Sequence, residues 1–396
     1  ETFKVLSTPS NSALAVLEGL QRIFNNRTNK HATIIHGSTV ATNALLEYKG
    51  AKTALVSTTG FKDVIQIGRQ NRPELYDLTV RLPEPLIPAE HRFEVEERVL
   101  HTGEVLKQLD PNQLDDLVNQ IKITGVESVA ICLLFSFLHP EHESLISERL
   151  RAEGYFVSAS SEILPEFREF ERTSTTVVNA YVSPVLGKYL TYLEQSLDPA
   201  MYLSVMQSNG GAIQPEEARH AGVRCILSGP AGGVVGCEYI GKTVSQGNTP
   251  HLIGFDMGGT STDVSLIDGS YQITTEAQVN GLPIHLPMLD IHTIGAGGGS
   301  IARVDVGGAL RVGPESTGAD PGPACYGKGL IPTITDANVV LGRLSPELFL
   351  GGEMHLDAER AWQAVTTLGE QFGMETTQVA LGIIQVANAH MERALR

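Results

Sequence analysis

The stretch Leu252-Ile253-Gly254-Phe255-Asp256-Met257-Gly258-Gly259-Thr260-Ser261-Thr262-Asp263-Val264-Ser265-Leu266-Ile267 constrains the fold of this chain more than any other. Its apolar runs, Leu252 to Phe255 and Val264 to Ile267, predict two strands, and Gly258-Gly259 between them predicts a tight turn. A carboxylate, Asp256 or Asp263, then stands at each strand edge of the turn. Glycines let a backbone approach a ligand closely, and successive turn amides form an anion-binding concavity that needs no side-chain charge. Thr260, Ser261 and Thr262 add hydroxyl donors. Asp256 would repel a bare phosphate, so its place makes most sense with a divalent cation between them, held through water as Mg²⁺ usually is. Metal-bound nucleotide is the implied ligand. The competing reading is an ordinary Gly-Gly hairpin, because short glycine motifs recur widely. The two aspartates and three hydroxyls between Asp256 and Asp263 weigh against it.

Composition narrows the partners. With 396 residues, 42% of them hydrophobic and 19% charged, the chain has room for two or three domains with large cores. Its formal net charge of −16 argues against nucleic acid or an anionic membrane as the main partner. Any anionic ligand must therefore be bound locally, by amides, metal or individual arginines. Cys132, Cys225, Cys237 and Cys325 are scattered, without zinc-ribbon pairs or the density of a disulfide scaffold, so a reducing cytoplasmic compartment is expected. No apolar run approaches the ~20 residues of a membrane span, and Glu1-Thr2-Phe3-Lys4-Val5 lacks the regions of a signal peptide.

Read in order, the chain alternates predicted strands and helices, which points to α/β layers. Asn11 or Ser10 is expected to cap a helix through Phe24, with Leu14, Leu17, Leu20 and Ile23 on one face. A strand over Ala32 to Ile35 leads into His36-Gly37-Ser38-Thr39 and a helix from Val40, which places free amides where an anion could sit. His36 reads equally as a core histidine or a site residue. Arg69 and Arg72 precede Pro73 in an irregular segment; an arginine fork suits a carboxylate or phosphate, although solvated surface arginines are the plainer reading. Phe93 to Val99 alternates like one half-buried strand, and Glu169 to Leu197 reads as a long helix kinked or restarted at Pro184. His139, His142 and Glu143 lack further ligands and mark a helix start rather than a metal site. Asp290 and His292 share a strand face, which is too few ligands for a metal.

Two glycine-rich loops follow the hairpin. Thr293-Ile294-Gly295-Ala296-Gly297-Gly298-Gly299-Ser300 exposes backbone and either cradles phosphate or packs closely; Gly318 to Gly327 must be a shaped loop, with Cys325 a nucleophile or buried packing. Thr335-Asp336 is expected to cap a helix through Leu344. Gly236-Cys237-Glu238-Tyr239-Ile240-Gly241-Lys242-Thr243 matches G-x-x-x-x-G-K-[ST] letter for letter. A P-loop follows a strand and opens a helix, whereas these residues are expected to finish a helix with Gly241 as its C-terminal glycine, so the P-loop reading is rejected.

The segment Phe255 to Leu266 resembles the second phosphate loop of the actin, hexokinase and heat-shock-70 ATPase superfamily. More narrowly, the chain is similar to the hydantoinase A/5-oxoprolinase family, which includes subunits of acetone and acetophenone carboxylases. The likeness runs almost end to end: His36 to Glu47, Ile67-Gly68-Arg69-Gln70 with Arg72-Pro73, Ser228-Gly229-Pro230-Ala231-Gly232-Gly233, His292 to Ser300 and Gly318 to Gly327. Several long motifs in family order are far more specific than one glycine loop. Where the family usually has Thr, this chain has Ser38, which keeps the hydroxyl; where it usually reads Ser-Ala, this chain reads Ser316-Thr317.

The resemblance implies an α/β, actin-like (ribonuclease H-like) ATPase fold, with an N-terminal hydantoinase/oxoprolinase region over 1–170 and an ATPase region over 171–396. Family members begin with another Asp-x-Gly-Gly-Thr loop and continue to a Gly-rich adenosine loop. Neither occurs here, so an internal fragment, incomplete at both ends and inactive alone, is expected. The implied function is ATP-dependent opening of a cyclic amide such as hydantoin or 5-oxoproline, through phosphorylation of its carbonyl oxygen. Asp256 would hold Mg²⁺ through water, Gly258, Gly259, Thr260, Ser261 and Thr262 would grip phosphate, and Gly297 and Gly298 would join the nucleotide site. Asp263 would orient water or a hydroxyl; Arg69, Arg72, Ser38 and Thr39 would contact substrate. A hydantoinase B-type subunit and a second copy of the chain are the expected partners. The rivals are a subunit of an ATP-dependent ketone carboxylase and a nucleotide-binding module without small-molecule chemistry.

Overall fold

The computed structural model describes residues 5, 8, 11–24, 31–71, 84–246 and 249–395. These fall mainly into two compact units: Asn11–Gly232 with Ile273–Leu289, and Gly233–Gln272 with Asp290–Arg396. The sequence boundary at 170/171 and this division cut the chain differently, because the long helix Glu169–Ser196 lies inside the first unit.

The first unit is built on a parallel sheet ordered Arg92–Val95, Thr53–Thr58, Ser128–Cys132, Phe156–Ala159. Thr53–Thr58 and Ser128–Cys132 are buried at every residue, as strands covered on both faces must be. Ala54 and Val56 face the helices Pro111–Thr124 and Glu141–Ala152 through Leu117, Ile121, Ile146 and Leu150, while Leu55 and Ala130 face Val177 and Ala180 of Glu169–Ser196. That helix runs unbroken through Pro184 rather than restarting there. A proline cannot donate to the carbonyl four residues earlier, and the Ser128 hydroxyl takes that place, donating to the Ala180 carbonyl at 2.7 Å. The expected strand over Phe93 to Val99 is two, Arg92–Val95 in the sheet and Arg98–Val99 paired with Val105–Lys107. A second sheet pairs Ala32–His36 in parallel with Met201–Met206.

In the second unit, the strand Thr262–Asp268 is central. It pairs antiparallel with His251–Met257 along one edge, and with Ile291–Ile294 and Ser270–Tyr271 along the other. A further hairpin, Ser300–Val304 with Leu310–Ser316, and the helices Ile334–Val340, Ala358–Glu370 and Thr376–Leu395 close a core around Ala302, Val312, Ile334, Val365 and Ile383. The helix Ser228–Val244 passes from one unit into the other and extends beyond its expected end at Ile240. Gly241 therefore lies inside it rather than at its C-terminus. A Cβ there would stand 2.2 Å from Leu252 Cδ1, so the missing side chain lets the helix lie against the strand.

Candidate functional site

The register of the hairpin sets Asp256 directly opposite Asp263 and Met257 opposite Thr262, leaving Gly258 to Ser261 as the turn. The Gly258 amide donates to the Ser261 carbonyl at 2.8 Å and closes it. The amides of Gly259, Thr260 and Ser261 donate to no protein group among the described residues. Three unengaged amides in a glycine turn form a concavity of positive potential, with two carboxylates at its base. Gly258, Gly259 and Thr260 are exposed and Thr262 is buried, its hydroxyl donating to the Ala296 carbonyl at 2.5 Å.

The glycine loop after the strand Ile291–Ile294 holds this turn in shape. Gly298 donates its amide to the Gly258 carbonyl at 3.0 Å and Gly299 to the Gly259 carbonyl at 2.6 Å; the Gly297 amide is taken by the Ser300 hydroxyl at 2.8 Å. A Cβ on Gly297 would lie 2.7 Å from backbone atoms of Gly259 and Thr260, so no other residue fits without moving the turn. The loop is anchored in turn by Thr335, whose amide and hydroxyl both donate to the Gly298 carbonyl at 2.8 Å. The amides of Gly297 and Gly298 are thus engaged within the protein, and the two residues touch the turn.

Thr335 is held by a capping box that begins earlier than the expected Thr335-Asp336 cap. Thr333 is the N-cap and Asp336 the reciprocal partner, and the helix Ile334–Val340 ends before the expected Leu344. The buried Asp336 carboxylate also accepts the amides of Ala324 at 3.1 Å and Cys325 at 2.8 Å, which shapes the Gly/Pro-rich loop. Cys325 is buried and its thiol is pushed well above the usual range, first by burial and then by the Asp336 charge, which suits packing rather than nucleophilic attack.

Asp263 is half-buried. Thr293, its cross-strand neighbour on Ile291–Ile294, donates a hydroxyl to its Oδ1 at 2.6 Å. Its carboxyl is nevertheless raised above the ordinary value by burial, against the downward pull of Thr293 and with a smaller upward push from Asp256. A raised carboxyl beside an exposed carboxylate is an arrangement suited to proton transfer. Among the described residues no three His, Cys, Asp or Glu side chains are grouped to hold a metal ion, Asp290 and His292 included. A cation at Asp256 would take its other ligands from phosphate oxygens and water, which fits Mg²⁺.

The remaining sequence candidates lie in the first unit. Ser38 is buried and accepts the Val40 amide at 3.1 Å, while its own amide and carbonyl both bond the Ser228 hydroxyl, at 3.1 and 3.0 Å. Thr39 is exposed at the N-cap of Val40–Leu46, with no side-chain cap bond. His36 bonds the Tyr189 hydroxyl at 2.8 Å; burial lowers the imidazole and raises the phenol to about 12, so both are neutral near pH 7. Arg69 already closes its fork on Glu171, at 2.8 and 2.6 Å. Arg72 lies outside the described residues. His142 and Glu143 serve the interior: His142 bonds Glu97 at 2.9 Å, and Glu143 accepts the Leu133 and Ser161 amides at 2.8 Å.

Family models match along the same chain: one described as hydantoinase/oxoprolinase over residues 172–396, and one described as the hydantoinase/oxoprolinase N-terminal region over residues 1–154. The chain belongs to the hydantoinase/oxoprolinase family. Among its relatives is 5-oxoprolinase 1 of Arabidopsis thaliana, 40% identical over 99% of this chain and 35% of the plant protein. Caprolactamase subunit alpha of Pseudomonas jessenii is 36% identical over 100% of this chain and 59% of its own length. The crystal structure of that ATP-dependent caprolactamase superimposes with a TM-score of 0.79 at 34% identity, again over 100% of this chain and 59% of the other. The nucleotide-free structure of acetone carboxylase superimposes with a TM-score of 0.83 at 28% identity, over 97% of this chain and 57% of the other. The mixed α/β architecture is that of these two structures, consistent with an actin-like ATPase fold. This family member spans between 35% and 60% of the length of the first curated relatives it matches.

Proposed function

We propose that this chain carries the phosphate-handling part of an ATP-dependent hydrolase that opens a cyclic amide of the hydantoin or 5-oxoproline type. The observation that carries the reading is the turn Gly258–Ser261, with three unengaged amides above the opposed Asp256 and Asp263. Relatives named 5-oxoprolinase and caprolactamase support the substrate class.

A lactam resists water because amide resonance and ring closure both favour it. In the proposed sequence the lactam oxygen takes the terminal phosphoryl group and ADP leaves; water adds to the activated carbon and the ring C–N bond breaks, giving an acyl phosphate. A second water adds to the acyl carbon and breaks its bond to the bridging oxygen, so phosphate departs with the former lactam oxygen and the amino acid is left. Catalysis of this kind rests on positioning and charge neutralisation. The turn amides with the Thr260, Ser261 and Thr262 segment would grip phosphate, and Asp256 would hold Mg²⁺ through water. Mg²⁺ would supply neutralisation of phosphate charge. Asp263, its carboxyl raised above the ordinary value by burial, would accept a proton from water. Gly297 and Gly298 would serve by fixing the turn. Ser38, Thr39 and Arg72 would contact substrate, and Arg69 would do so by exchanging Glu171 for a substrate carboxylate. We assign 1–170 and 171–396 as the N-terminal and ATPase regions, working in a reducing cytoplasmic compartment. The name of the caprolactamase relative as a subunit supports a hydantoinase B-type partner.

The likeness to acetone carboxylase favours one second reading, a ketone carboxylase subunit. The purified protein with its partner subunit, given Mg-ATP and 5-oxoproline labelled with ¹⁸O in the ring carbonyl, tests both. Carbonyl phosphorylation predicts labelled phosphate and a ring-opened amino acid. Unlabelled phosphate excludes that route, and turnover of ketone only with bicarbonate would establish the carboxylase.

A further inference from the structure

A cleft of about 580 Å³ opens beside Ile291–Ile294, walled by the hairpin Ser300–Val304/Leu310–Ser316 and the last turns of Thr376–Leu395. It lies within the size range of small-molecule sites. Arg303, Arg311, Arg393, His292 and His390 line it against one carboxylate, Asp305. In a chain of formal charge −16, such a concentration of basic groups needs a reason.

Internal pairing accounts for only part of it. Asp305 is occupied by its own turn: it accepts the Gly307 and Ala309 amides and Arg311 Nε, each at 2.9 Å. That bond engages the Arg311 guanidinium at Nε, and its terminal nitrogens have no partner among the described residues. Glu315 pairs with Arg303 through one terminal nitrogen, Nη1. The side chains of Arg393, His292 and His390 make no hydrogen bond or ion pair with any described residue. Two braced guanidinium groups and three unpaired basic side chains around one concavity form a receptor for negative charge.

We propose that this cleft binds a small polyanion bearing carboxylate or phosphate groups, separately from the hairpin turn. His292 precedes Thr293 in the strand and points to the opposite face, so the cleft does not share the Asp263 surface. The inference is independent of the lactam reading.

Calorimetric titration of the full chain with citrate and with pyrophosphate tests it, alongside Arg393→Gln, His390→Gln and Asp256→Asn. Saturable binding of at least one probe is expected, weakened at least ~10-fold by Arg393→Gln, as loss of a charge-assisted bond implies, and unchanged by Asp256→Asn. Binding of citrate alone, or of pyrophosphate alone, identifies the carboxylate or phosphate class. The imidazole proton resonances of His292 and His390 should shift on adding the same probe. Absence of saturable binding by both probes overturns the proposal; so does binding that neither cleft variant weakens, which would place the anion elsewhere, for instance on the hairpin turn.

Discussion

In the parallel sheet of the first unit, Thr53–Thr58 and Ser128–Cys132 are buried throughout; in the hairpin strand His251–Met257, only Gly254 is. The two regions treat charge accordingly. Around the sheet, Arg172, Glu143, Glu97 and His142 are all buried and bonded to one another's neighbours: Arg172 donates to Ser136 at 3.0 Å, Ser136 meets Ser160 at 3.0 Å, and Ser160 donates to Glu143 at 2.7 Å. Around the hairpin, Asp256 is exposed and Asp263 is half-buried and raised. Charges enclosed by side chains hold a fold together, whereas carboxylates left open beside unengaged amides are available to a ligand. Stability and activity should therefore separate along this division.

The largest effect should come from Arg172→Ala. It leaves the Leu133 carbonyl and, through the two serines, the Glu143 carboxylate without a buried cation, and removes the guanidinium stacked 5.3 Å over Phe137. Breaking a buried charge network of this kind costs about 3–5 kcal/mol. Urea unfolding would report it; a loss under ~1 kcal/mol would mean the network is solvated and the contrast between the regions is false.

Asp256→Asn should do the reverse. ATP hydrolysis by the complete enzyme falls at least ~100-fold, the usual cost of losing a positioned charge at a phosphoryl site, while the unfolding free energy from urea titration stays within ~0.5 kcal/mol, as for an exposed substitution. A near-normal rate with Mg²⁺ would remove Asp256 from the site.

Thr293→Val sharpens the comparison at one hydrogen bond. Thr293 pulls the Asp263 carboxyl down against burial, so its loss moves that carboxyl further up. The acid limb of the rate profile should shift to higher pH, with activity below it reduced up to ~10-fold, the worth of about one hydrogen bond. Because the folded value exceeds the unfolded one, the variant gains stability at pH below the unfolded value relative to neutral pH, and that gain is lost as pH rises through the folded value. An unmoved acid limb would show that Asp263 is not the group whose ionisation limits turnover.

The hairpin was legible because its information is local: alternation, a glycine turn and flanking aspartates all lie within Leu252 to Ile267. The structure sets Asp256 opposite Asp263, as that reading requires. What reading along the chain missed is pairing at long range. Nothing near Arg69 announces Glu171, and nothing near Asp263 announces Thr293. The Ser128 hydroxyl that lets a helix pass Pro184 is equally distant in sequence. The glycine loop was seen, but its engaged amides were not, since which amides are free depends on the turn it meets. Thr333-x-x-Asp336 has the spacing of a capping box, and in sequence the nearby Thr335 competes with Thr333 for the cap.

Lys242→Ala should have the smallest effect, and it separates a sequence pattern from its structural context. The residues from Gly236 to Thr243 spell a P-loop, yet all of them lie within the helix Ser228–Val244, where each amide from the second turn onward is committed to a carbonyl four residues back. A phosphate cradle needs free amides at a helix N-terminus, and these sit toward the C-terminal half. Lys242 spends its charge on Glu238, one turn earlier, at 3.0 Å. A helix pair at that spacing, with its lysine exposed, contributes ~0.3–0.5 kcal/mol, so the variant should lose no more than that in stability, and Mg-ATP affinity should stay within about twofold. A collapse of affinity in calorimetry would move the phosphate site from the Gly258 turn to this helix, and the division between a structural and a ligand-facing region would have to be redrawn.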